Sequence, residues 1–150
     1  MRWTVWILVA VLAFEAAGRN RGDPADYIGG TVAGIDRSPG FIDVTDEQYF
    51  RFQAGRTRVE VLYETINLIE YGQRADRRYL MAIAISPLLL LSKKRKHFLT
   101  VGYADDLGKQ QALVFRVDKA HIRSVLASLE ARTGRKVEYQ DTEARKAGSG

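Results

Sequence analysis

The chain has 150 residues, enough for one domain with a real hydrophobic core, and its 46% hydrophobic and 27% charged residues are ordinary for a globular protein. It contains no cysteine, which excludes disulfide frameworks, thiolate metal sites and cysteine nucleophiles together. A net charge of +5 favours acidic partners such as anionic lipid or nucleic acid, though many basic proteins bind neither.

Met1-Arg2 gives a short positive start, and Trp3 to Phe14 is apolar apart from Thr4. As a helix that run reaches about 18 Å, short of the roughly 30 Å of a bilayer core. Ala16 and Gly18 place small residues where a signal peptidase cuts. Residues 1–18 therefore read as a secretory signal peptide, with an expected extracytoplasmic (periplasmic or secreted) location after cleavage near Gly18. The alternatives are an uncleaved anchor, which Glu15 after the run leaves open, and a buried N-terminal strand or helix. Residues 19–26 read as a polar linker, broken by Gly22 and Pro24.

The ordered domain is expected over residues 27–137. Ile28, Val32 and Ile35 among glycines mark a first strand, and Ser38-Pro39-Gly40 a turn. Phe41 to Val44 and Tyr49 to Phe52 read as two further strands. From Arg58 to Tyr63, Val59, Val61 and Tyr63 alternate with Arg58, Glu60 and Leu62, the period of a half-buried strand. The alternation slips after Tyr63, predicting a bulge or bend in one long strand that Gly72-Gln73 ends. Phe98 to Tyr103 and Ala112 to Val117 form a hairpin around Asp105 to Lys109. Asp118 is the expected N-cap of a helix whose Ile122, Val125, Leu126 and Leu129 make one apolar stripe, stopped at Gly134. Glu130 falls outside that stripe, on a face expected to be solvated. Residues 138–150 are polar and read as a disordered tail.

One segment departs from this grammar. Leu80 to Leu91 is apolar except for Ser86 and is interrupted by Pro87. Arg74, Arg77 and Arg78 precede it, and Lys93, Lys94, Arg95 and Lys96 follow, against one acid at Asp76. One reading is a core strand or short helix with solvated charged ends. Another is an apolar loop seated in the interface of an anionic membrane, where each cation contributes about 1 kcal/mol. A loop at a protein interface is the third.

Catalytic signatures are missing. His97 and His121, the only histidines, lack ligand spacing with each other, so no metal site is expected. Asp105-Asp106 sits at a hairpin tip, where acids serve turns. No glycine-rich loop opens a helix, and no serine nucleophile motif occurs. The expectation is a protein that is not an enzyme, without catalytic residues or cofactor. Nucleic-acid binding through Lys93–Lys96 is permitted by charge but disfavoured by export.

A strand-rich body, a closing helix and the segment Val61-Leu62-Tyr63-Glu64-Thr65-Ile66-Asn67-Leu68-Ile69-Glu70 together resemble the pleckstrin-homology-like superfold, including its GRAM-like bacterial members. The block from Ser92 through the final helix is similar to small secreted bacterial proteins of unknown role. The resemblance implies an α+β fold, an antiparallel, strongly curved sheet or partly open barrel capped by one C-terminal amphipathic helix. It also implies a binding or scaffold role without naming a ligand. An anionic lipid surface, or a protein of an envelope complex, is the expected partner.

Overall fold

The computed structural model describes residues 22–73, 96–140 and 142–149. The expected signal peptide, the first part of the linker and the apolar run Leu80–Leu91 lie outside these residues.

Among the described residues eight strands form one sheet: β1 Asp23–Gly30, β2 Ser38–Asp43, β3 Tyr49–Ala54, β4 Thr57–Leu62, β5 Ile66–Gly72, β6 His97–Ala104, β7 Gln110–Val117 and β8 Glu138–Tyr139. Helix α1 spans Lys119–Thr133 and helix α2 Thr142–Ser149. The strand order is β4-β3-β2-β1-β7-β6-β5-β8. Among the described residues every pairing is antiparallel except the parallel β5–β8 contact, and the sheet does not close. The fold is α+β, as expected.

The sheet is strongly bent. β3 and β7 stand three strands apart, which in a flat sheet would separate them by about 14 Å. Yet Phe52 and Phe115 have ring centroids 5.0 Å apart, and Phe50 and Phe115 5.7 Å. Both halves of the sheet therefore face one core, in which Tyr27, Ile42, Phe50, Phe52, Leu99, Val101, Leu113 and Phe115 are buried. Ile122, Val125, Leu126 and Leu129 of α1 join the same core, and the helix packs on β1, β5 and β6. Each such side chain contributes about 1.5–3 kcal/mol by leaving water.

The helix boundaries follow the sequence. Asp118 takes the extended N-cap conformation, but its side chain makes no capping bond; its carbonyl accepts from the His121 and Ile122 amides. Gly134 ends the helix at φ 69°, a left-handed conformation that a residue with a Cβ adopts at a cost. Glu130 is not idle: its Oε1 accepts the Val137 amide at 2.9 Å.

Four expectations need correction. β1 begins at Asp23, inside the expected linker. Pro24 is tolerated because β1 pairs with β7 only from Ala25 onward, so the missing N–H falls where β1 has a single neighbour. The turn expected at Ser38-Pro39-Gly40 is instead the start of β2, where Pro39 is tolerated on the same terms, paired with β1 before the β3 ladder starts at Phe41. The slip after Tyr63 is a corner: a 3₁₀ turn at Tyr63–Thr65 divides β4 from β5. The polar tail is structured as well. The Gln140 amide bonds the Tyr71 carbonyl, its side chain donates to Glu70 at 2.7 Å, and α2 lays Gly148 against Tyr139 and Tyr71. Polarity misled here because the tail is held by hydrogen bonds and a glycine contact instead of an apolar stripe.

Candidate binding surfaces

Of the cations singled out in the sequence, Arg74, Arg77, Arg78, Lys93, Lys94 and Arg95 lie outside the described residues. Lys96 is described and half-buried, directly ahead of β6. The β5–β6 register sets Gly72 opposite Phe98. Gln73, just after β5, and Lys96, just before β6, therefore stand at the same end of the sheet.

His97 opens β6 at that end and is buried. Its ring stacks on Tyr71, 5.9 Å between centroids at 9°, with Nδ1 2.5 Å from the Tyr71 hydroxyl. Tyr139 meets Tyr71 edge-on at 6.0 Å. Burial, and then Lys119, push His97 below its ordinary value, while Asp118 opposes them. A neutral imidazole protonated on Nε2 accepts the tyrosine hydroxyl at Nδ1. His121 works elsewhere: its Nδ1 lies 2.9 Å from Asp23 Oδ1 and ties α1 to the start of β1. Among the described residues no three His, Asp or Glu side chains come together as a metal site would need.

The outer face of β1–β4 carries an open groove of about 1210 Å³. Strand register builds it in rows. Pro24 lies opposite Phe41, Phe41 opposite Gln53 and Gln53 opposite Arg58, so an apolar strip runs into a polar end. Beside it, Arg51 bonds Glu60 at 2.7 Å and Asp46 at 2.7 Å, and Arg58 reaches Glu60 at 2.8 Å. On the other flank Arg116 Nε donates to Asp26 at 2.9 Å. The Gln48 and Tyr49 amides, with Arg51 behind them, hold the Asp46 carboxyl below its ordinary range. Arg51 also lies 5.7 Å over the Tyr49 ring. None of these side chains is a nucleophile poised beside a base; the surface can recognise by shape and charge. Sequence reading missed it because its residues come from separate strands and share no spacing.

The Asp105-Asp106 pair is placed as expected, at the hairpin tip. Asp105 accepts from Gln111 Nε2 at 2.8 Å and from the Lys109 and Leu107 amides at 2.9 and 3.0 Å, which lower its pKa. It organises a turn that leaves Leu107 93% exposed. Set against known proteins, the sequence matches no protein-family model and no curated protein.

Proposed function

We propose that the chain is a non-catalytic, exported binding module of pleckstrin-homology-like build, which docks on an anionic membrane surface through residues 74–97. The observation that supports this reading is the pairing of Gly72 with Phe98. It starts the cationic groups Arg74, Arg77, Arg78 and Lys93–Lys96 from neighbouring strands, with the apolar run between them in the chain. The bent antiparallel sheet followed by an amphipathic helix supports the build. Attraction comes from charge, and screening shortens its reach to about 8 Å at physiological ionic strength, so binding fades as salt rises.

A second reading, a protein-interaction domain of an envelope complex, is favoured by the groove at Pro24, Phe41 and Arg58. Sedimentation with anionic and with neutral vesicles, at low and high salt, separates the two. The chain should sediment with anionic vesicles at low salt, and replacing Lys93, Lys94, Arg95 and Lys96 by glutamine should abolish this. Protein that stays in the supernatant in every condition would end the membrane reading and leave the second.

A further inference from the structure

β4 ends the strand order, and among the described residues no strand pairs with its outer edge. On its inner edge it pairs with β3 from Ala54↔Thr57 to Tyr49↔Leu62. The connection is two residues, Gly55 and Arg56, with Gly55 at φ 56°, the geometry of a type II′ hairpin turn. Such a loop is flanked by a hydrogen-bonded pair, and hydrogen-bonded and free pairs alternate along an antiparallel ladder. Thr57, Val59 and Val61 therefore direct their backbone groups to β3. Arg58 and Glu60 direct theirs outward, to the open edge. Their side chains stand together on the outer face, 53% and 40% exposed, while Val61 on the inner face is buried.

We propose that this edge pairs with β4 of a second copy of the chain, antiparallel, about a two-fold axis at Val59. An open edge is a template for another strand, and two-fold dimers are the commonest closed assembly. Face matching and charge select the register. A centre between two residues would set inner-face side chains against outer-face ones. A centre at Arg58 sets arginine against arginine, and one at Glu60 sets glutamate against glutamate; like charges directly opposite are destabilising. The centre at Val59 sets Arg58 of each copy against Glu60 of the other, twice. These are the residues whose backbone groups point outward, so the charge pairs coincide with the hydrogen-bonded pairs. Val59 meets its own copy across the axis, and Thr57 meets Val61, on the inner face. The interaction stands on β4 alone and is independent of any membrane contact.

The absence of cysteine makes the test direct. In a non-hydrogen-bonded pair the two Cα atoms lie about 4.5 Å apart, inside the range a disulfide spans. Val59→Cys should therefore give a disulfide-linked dimer under mild oxidation, much faster than Gln53→Cys on the neighbouring strand. The unmodified chain should be dimeric by sedimentation velocity, and Arg58→Glu or Glu60→Arg alone should be monomeric. Mixing those two variants should restore a heterodimer, because each then offers the charge the other lacks; that recovery also shows both are folded. A monomer at every concentration, equal crosslinking of the two cysteine variants, or no recovery on mixing would overturn the proposal.

Discussion

The two halves of the sheet share one core yet treat their outer faces differently. In β3, Phe50 and Phe52 are buried, Arg51 is half-exposed and Gln53 is exposed. In β6, all six residues from His97 to Gly102 are buried, and β7 buries Ala112 to Phe115 without a break. Alternation is the signature of a strand wetted on one side; a continuous buried run is that of a strand covered on both. Phe98, Thr100, Ala112 and Val114 form the outer face of β6 and β7 and lie outside the main core cluster, yet they are withdrawn from water. The β5–β7 half therefore carries stability on two faces. The β2–β4 half leaves one face wetted and, among the described residues, the outer edge of β4 without a paired strand.

The largest effect should come from placing a charge on each outer face. Val114 is 2% exposed, so Val114→Asp buries a carboxylate without a partner, which costs at least about 3 kcal/mol. Gln53→Glu puts a charge on the outer face of β3, opposite Arg58, where a hydrogen bond to the Gly55 carbonyl is lost. Its melting midpoint should correspond to a change within about 0.5 kcal/mol. Thermal unfolding of the two variants checks this, and similar losses would erase the distinction between the halves.

The same contrast explains what could be read from the sequence. The β6–β7 hairpin and α1 were legible because Phe98–Val101, Ala112–Val117 and the stripe Ile122, Val125, Leu126, Leu129 each carry a period or an apolar run of their own. β1 was legible only from Tyr27, since a proline in a strand is acceptable or fatal according to whether a second neighbour has arrived, which is a tertiary fact. The corner at Tyr63 was seen as a slip, and period alone cannot tell a bulge from a turn. The groove at Phe41, Arg51 and Arg116 was invisible because registers between strands, not spacing within them, bring it together.

A smaller effect belongs to the end of β6. Burial and Lys119 favour neutral His97, so the folded chain binds this proton less readily than the unfolded one. Stability from this group is complete above the ordinary histidine value of 6.5 and is lost as pH falls below it. Asp46 and Asp105 are lowered too, but theirs is lost only below the ordinary carboxylate value of 3.8. The melting midpoint should therefore decline between about pH 7 and pH 5. His97→Gln keeps a hydrogen-bonding group beside Tyr71 without a titrating ring, and the decline should flatten. An unchanged slope would remove buried His97 as its source.

The smallest effect is the most discriminating, because one chemical change should have opposite signs at two tyrosines. Tyr63, in the turn that joins the halves, is 4% exposed, and burial raises its pKa to about 12. Among the described residues its hydroxyl finds no hydrogen-bond partner. A buried hydroxyl left unpaired is a net cost, so Tyr63→Phe should hold stability or raise it by about 1 kcal/mol. Tyr71 is equally buried, but its hydroxyl meets His97 at 2.5 Å. Tyr71→Phe removes that bond and strands the imidazole nitrogen, so it should lower stability by about 1 kcal/mol or more. Chemical denaturation of both variants at pH 7 reads the signs directly. A loss at both positions would mean that Tyr63 is as well satisfied as Tyr71, and that the junction between the halves is bonded as tightly as the doubly covered side.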